Sequence, residues 1–172
     1  MDLLLYLVFN FFLYGFIGWI LENVFSYFKT GHFQQDGFLY SPFKPMYAIA
    51  MSIILELYKF SPNIIILFII SAIIPTSVEY ITGILMRKCF NKNYWNYYDE
   101  KYNYKGIICL KFSVAWIFLC ITDVIIIQPY LIRPIYKLIL HIVPIIIITF
   151  IIVLTIDIIV TLIDFRDKQQ IN

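Results

Sequence analysis

Long apolar runs, separated by short polar stretches, organise the chain of 172 residues. Runs longer than about 18 residues with few charges are typical of transmembrane helices. The pattern predicts an all-α, polytopic transmembrane helical bundle of about five spans, which forms a single integral membrane domain over residues 1–172. The predicted spans cover 3–28, 45–58, 62–86, 107–128 and 135–163.

The second predicted span is shorter than the other four. It has about 14 residues, whereas roughly 20 are needed to cross the hydrocarbon layer. It could be a tilted partner helix, a re-entrant segment, or a full span that includes Phe43 and Lys59 at its edges.

Lysine and arginine are unevenly distributed between the two sides of this arrangement, and cytoplasmic loops carry the excess. If all five segments cross, ten of the basic residues lie on one side and only Lys59, Arg133 and Lys137 on the other. The count predicts an outside N-terminus, a cytoplasmic C-terminus, and cytoplasmic loops at 29–44 and 87–106. If the second segment did not cross, these two basic loops would fall on opposite sides, so the count favours five crossings.

Composition supports the membrane assignment and narrows the possible chemistry. Hydrophobic residues make up 62% of the chain and charged residues 14%, against about 45–50% and about 25% in soluble domains. The three cysteines have no metal-binding spacing, and no nucleophile, zinc or phosphate-loop motif is present. We expect no enzymatic activity, no cofactor, no metal and no nucleic-acid partner. An ATP-driven process would need an ATPase from another chain.

Several ionisable residues lie inside the predicted spans, where an ionisable side chain usually faces the bundle interior. At a rise of about 1.5 Å per residue, Glu22, Glu79 and Asp157 are about 10–12 Å from the cytoplasmic ends of their helices. Lys111 is about 7 Å deep on the same side. These side chains could converge on one polar cluster. The cluster could be a transport or ligand site. It could instead be structural, with the glutamates either protonated or paired with Lys111 to lock the bundle.

Helical phase supports an inward direction for both glutamates. Small and polar residues on one stripe mark a helix–helix interface in lipid. Two such stripes are Gly15, Gly18, Glu22 and Ser26 in the first span, and Ser71, Pro75, Glu79 and Gly83 in the third.

A second polar pair is predicted near the outer face. Asp123 lies close to the end of the fourth span, and His141 lies close to the start of the fifth. The hairpin between these spans could bring the two together as a hydrogen-bonded pair. The pair could be a proton relay, or His141 could be a neutral histidine satisfied at a helix end.

Three sequence blocks carry a family resemblance over about residues 10–120. They are FIGWILENVF (16–25), DGFLYSPFKPMYAIA (36–50), and EYITG (79–83) together with WNYYDEKYNYKGIICL (95–110). The sequence resembles the ABC-transporter type IV family, also called CmpB-like, of small bacterial integral membrane proteins. Ser41 departs from the family pattern, which has a glycine there. The matching positions include the site candidates Trp19, Glu22, Glu79, Trp95, Tyr97 and Asn103.

The resemblance implies a transport-associated, permease-like subunit of the bacterial plasma membrane. Its partners would be the lipid bilayer and either a separate ATPase subunit or further copies of itself. The alternative is a non-transporting ligand-binding or sensory membrane module, which could be homo-oligomeric.

The aromatic stretch 95–110 permits two interpretations. Tyr and Trp collect at membrane surfaces in aromatic belts. Its family spacing instead favours a folded cytoplasmic cap in which Asn103 and Gly106 form the turn into the fourth span. Trp95 and Tyr97 would then pack over the ends of the first and third spans, as a lid over the acidic residues.

Overall fold

Five helices and a two-stranded β-ladder form the part of the chain, residues 3–34 and 37–171, that the computed structural model describes. Residues 35 and 36 of the predicted loop 29–44 lie outside the described residues. The elements are α1 (Leu3–Thr30), α2 (Pro45–Phe60), α3 (Ile64–Phe90), β1 (Asn103–Tyr104), β2 (Ile108–Cys109), α4 (Leu110–Leu138) and α5 (Val143–Ile171).

Four of these helices, α1, α3, α4 and α5, are long and apolar enough to cross a membrane. The chain is therefore a multi-pass membrane protein, as its apolar runs predict. Helix α2 has 16 residues, fewer than the roughly 20 that span the hydrocarbon layer. Its crossing, and with it the orientation of the loops, remains a prediction.

The predicted break at Pro129 is absent, and this corrects the boundaries of the last two spans. Helix α4 continues through Pro129 to Leu138, and α5 begins only at Val143. Residues Asp123–Ile132 are π-helical, so backbone hydrogen bonds join residues five apart instead of four. Pro129 has no N–H to donate and normally breaks an α-helix, but the wider turn accommodates it.

One compact unit comprises α1, the segment that follows it, the first residues of α2, and α5. Helices α1 and α5 meet where the rings of Phe12 and Phe150 stack, with centroids 5.5 Å apart. Phe43 extends this aromatic core, with ring centroids 5.7 Å from Phe11 and 6.0 Å from Phe12. The core of this unit is thus built mainly from aromatic rings.

The second compact unit, Ile49–Leu140, comprises the rest of α2, α3, the β-ladder and α4. Asn63 caps the start of α3 by accepting a hydrogen bond from the N–H of Ile65, and Asn91 ends the helix in a left-handed conformation with φ 49°. Helices α3 and α4 pack side by side, and the hydroxyl of Thr76 donates to that of Ser113 at 3.1 Å.

The position of α2 can be tested by labelling single cysteines from each side of the membrane. In a background without the three native cysteines, we expect His32→Cys and Lys101→Cys to react with a membrane-impermeant maleimide from the cytoplasmic side. Both residues are exposed. Lys137→Cys, also exposed, is the control for the outer side. Reaction of His32→Cys and Lys101→Cys from opposite sides would show that α2 does not cross.

Candidate functional site

Two glycines of α1 provide the surface on which the following segment docks. A Cβ atom added at Gly15 would overlap the ring of Phe43, and one at Gly18 would overlap the ring of Tyr47. The backbone N–H of Lys44 also donates to the carbonyl of Gly15 at 2.9 Å. The predicted stripe of small residues therefore receives the chain that leads into α2.

Glu22, one turn further along α1, forms an ion pair within this unit. The Nζ atom of Lys44 lies 2.5 Å from Oε2 of Glu22 and donates to Oε1 of Gln34 at 2.9 Å. The side chains of Lys44 and Glu22 are only 15% and 20% exposed. A charge removed from water is stabilised by such a partner; the partner of Glu22 is Lys44 and not the predicted Lys111. Trp19 is 36% exposed and stacks on Phe16.

Asp157 of α5 is buried and receives hydrogen bonds from the segment before α2. Its carboxylate accepts from the backbone N–H groups of Tyr40 at 3.0 Å and Ser41 at 2.8 Å, and from the hydroxyls of Ser41 and Thr161. Ser41 replaces a glycine of the family pattern, and its hydroxyl supplies a donor that glycine lacks. The Asp157 carboxylate is thus solvated by protein groups in place of water.

Further contacts hold the same segment against α5. The hydroxyl of Tyr40 donates to Asp164 at 3.0 Å, and the ring of Phe38 stacks on Phe165 with centroids 5.8 Å apart. The segment 38–44 is therefore held against α5 by the carboxylates of Asp157 and Asp164. It is held against α1 by Glu22 and by its contacts with Gly15.

In the second unit, Glu79 of α3 is buried beneath the loop that precedes α4. Its side chain is 3% exposed and accepts hydrogen bonds from the hydroxyl of Tyr97 at 2.9 Å and from Nε1 of Trp116 at 3.4 Å. The ring of Tyr97 stacks on Phe112 with centroids 4.7 Å apart. The inward direction predicted for Glu79 is what the structure shows.

The loop that carries Tyr97 is ordered by contacts with α3 and with itself. Nε1 of Trp95 donates to the carbonyl of Ile107 at 2.8 Å, and both side chains lie against Gly83. The side chain of Asn103 accepts from the N–H of Gly106 at 3.1 Å and donates to the carbonyl of Glu100 at 2.9 Å. The predicted cap with a turn at Asn103 and Gly106 is thus present over α3; its extension over α1 remains a prediction.

Arg87 has a role in this cap that sequence reasoning did not find. Its guanidinium donates to the carbonyls of Lys105 at 2.6 Å and Gly106 at 3.3 Å, and to the side chain of Asn93 at 2.9 Å. In the sequence, Arg87 is only one of several charges that end a span. Its long-range acceptors are backbone groups, which leave no mark in the sequence.

Lys111 lies elsewhere than the sequence predicts. Its side chain is 64% exposed, and its Nζ atom lies 3.0 Å from Oε1 of Glu100. Lys111 is in the first turn of α4, where an outward side chain can reach the loop and avoid the membrane interior. It is therefore a surface residue paired with the cap, and not a buried partner of the glutamates.

Asp123 and His141 belong to different compact units, and their pairing remains a prediction. Asp123 is buried at the start of the π-helical stretch, which also buries Gln128, whereas His141 is exposed in the turn before α5. Among the described residues, no group of three or more His, Cys, Asp or Glu side chains could hold a metal ion.

The hydrogen bond between Tyr97 and Glu79 can be tested with Tyr97→Phe. This change removes the hydroxyl donor and keeps the ring on Phe112, so a buried carboxylate loses a partner. We expect the free energy of unfolding to fall by about 1–2 kcal/mol, measured by thermal unfolding in detergent. Tyr102→Phe is the matched control, because Tyr102 is 81% exposed. Equal stability of the two variants would contradict this account of Glu79.

Comparison with known proteins agrees with the resemblance seen in the sequence and extends it. The family model described as "Putative ABC-transporter type IV" matches residues 9–162, which includes most of α5. No match was found among curated proteins or among solved structures. Because this family model covers most of the chain, the protein belongs to the family.

Proposed function

We propose that this protein is the permease-like membrane subunit of a transport system, powered by an ATPase on a separate chain. Family membership and four apolar helices are consistent with a transport-associated membrane protein. Residues in the sequence blocks that match the family also make the contacts between the two loops and the helices, and this observation is the main support for the proposal. They are Glu22, Tyr47, Glu79, Gly83, Trp95, Tyr97, Asn103 and Gly106.

This arrangement suits a subunit that receives force at its loops. The positive-inside count predicts that both loops lie on the cytoplasmic side, where an ATPase would dock. In each unit, hydrogen bonds from a loop satisfy a carboxylate on a helix, Asp157 in one and Glu79 in the other. A loop that moved alone would take the donors of Tyr40 and Ser41 from Asp157, or the donor of Tyr97 from Glu79, at a cost of about 1–3 kcal/mol or more. The loop and its helix would therefore move together.

The proposal gives this chain no enzymatic activity and no ATPase of its own. Glu79, with Tyr97 and Trp116, is the best-enclosed of the acidic candidates for contact with a transported solute or ion. Glu22 is paired with Lys44, and Asp157 accepts hydrogen bonds from residues 40 and 41, so both carboxylates fasten the segment before α2.

The proposal is tested by purifying the tagged full-length protein from its native membranes in mild detergent. We expect mass spectrometry to identify a nucleotide-binding subunit in the purified complex. Trp95→Ala removes a cap anchor that bonds Ile107, and it should reduce recovery of that subunit severalfold. Phe60→Ala is the control, since Phe60 is 85% exposed at the far end of α2.

Repeated recovery of the protein alone, or only with further copies of itself, would contradict a role with an ATPase. Stabilisation of such a preparation by a small molecule in a thermal-shift screen would then favour the ligand-binding or sensory module.

A further inference from the structure

A lysine and two tyrosines lie together at the exposed surface where the cap, residues 95–109, meets α3. The Nζ atom of Lys105 lies 5.3 Å from the ring centroid of Tyr104, and that ring lies 5.6 Å from the ring of Tyr80 on α3. Lys105 is exposed, and Tyr104 is 54% exposed. The neighbouring side chains of Tyr104 and then Tyr80 raise the pKa of Lys105 above its ordinary value. The three side chains together offer one cation and two hydroxyl donors to the surroundings.

The depth of Tyr80 places this group near the membrane surface. Tyr80 precedes Arg87, where the apolar run of α3 ends, by seven residues, or about 10 Å along the helix. The headgroup layer on each side of a bilayer is about 5–8 Å thick. The group therefore lies near the boundary between hydrocarbon and headgroups, where tyrosine is enriched and where lipid phosphates begin.

The surrounding charge favours an anion. Residues 87–111 contain six Lys or Arg and two acidic residues. Arg87 is engaged with backbone carbonyls of the cap, and Lys111 is paired with Glu100. Within the part of the chain that the structure describes, Lys105 has no carboxylate within the 4.0 Å of an ion pair.

The backbone at Lys105 is unusual for a lysine. The N–H of Ile107 donates to the carbonyl of Tyr104 at 3.0 Å, which closes a tight turn with Lys105 and Gly106 at its centre. Both have positive φ, 54° and 62°, a conformation that few residues other than Gly, Asn and Asp adopt readily. Asn, Asp or Gly is favoured at the first central position. A lysine there destabilises the turn. Its ammonium contacts Tyr104 and Tyr80 but forms no ion pair with the described residues, so its charge can be matched by an anion from outside the chain.

We propose that Lys105, Tyr104 and Tyr80 bind the phosphate of an anionic phospholipid at the membrane face where α3 ends. The Lys105 ammonium forms an ion pair with the phosphate, and the two phenolic hydroxyls donate to its oxygens. A zwitterionic phospholipid has the same phosphate, but its own ammonium group is repelled by the positive charge of the cap. The site therefore prefers lipids with a net negative charge.

The test is native mass spectrometry of the full-length protein in detergent, with phosphatidylglycerol and phosphatidylcholine added in equal amounts. We expect the wild type to retain phosphatidylglycerol preferentially. Lys105→Asn should lower the ratio of the two bound lipids by about fivefold, the contribution of one lysine near an anionic surface. Tyr104→Phe should lower it less. Lys101→Gln, which removes an exposed lysine from the same loop, should lower it less than Lys105→Asn, because the ion pair between Lys105 and the phosphate is kept.

Asparagine fits the turn better than lysine, so Lys105→Asn should unfold at the same temperature as the wild type or higher when only phosphatidylcholine is present. That result separates lost binding from lost folding. Equal retention of both lipids by the wild type would overturn the proposal, as would equal losses in Lys105→Asn and Lys101→Gln. Displacement of the lipid by millimolar inorganic phosphate would also overturn it, because the site would then recognise free phosphate.

Discussion

A carboxylate within an apolar helix has to be solvated by the protein, and this constraint organises both compact units. In water a carboxylate accepts several hydrogen bonds, and burial without replacements is costly. Asp157 obtains its replacements from backbone and side-chain donors of residues 40 and 41, together with Thr161. Glu79 obtains them from Tyr97 and Trp116. In each case the donors include groups from a loop, and the loop is thereby held in place.

Glycines permit this fastening. Phe43 and Tyr47 pack against Gly15 and Gly18, at positions where a larger residue would collide with their rings. Gly83 gives the same access to Ile107 and Trp95. Both units thus combine a glycine surface, an inserted aromatic ring, and a carboxylate satisfied by the adjoining loop.

Much of this organisation could be predicted from local features of the sequence. The apolar runs gave the class of fold, and helical phase gave the inward direction of Glu79. The match of residues 95–110 to the family pattern located the turn of the cap at Asn103 and Gly106. The end of α4 could not be predicted, because a proline normally breaks an α-helix. Pro129 is instead accommodated in a π-helical stretch.

The partners of the buried charged residues could not be predicted from the sequence either. Asp157 is bound by residues more than 100 positions away, and two of its donors are backbone groups that any residue type supplies. Lys44 and Arg87 look like ordinary charges at span ends, yet one pairs with Glu22 and the other holds the cap. The partner of each charged residue depends on how the helices pack in three dimensions, which hydrophobic periodicity does not specify.

Hydrogen exchange measured by mass spectrometry tests most directly whether the carboxylates hold the loops. In Asp157→Ala, we expect faster amide exchange in residues 37–44 than in the wild type. Residues 95–109 should keep the protection of the wild type, which would show that the variant is folded. The control is Asp167→Ala, a change at an exposed position of the same helix, which should leave both segments unchanged. Exchange in 37–44 that is the same in Asp157→Ala as in the wild type would contradict the account.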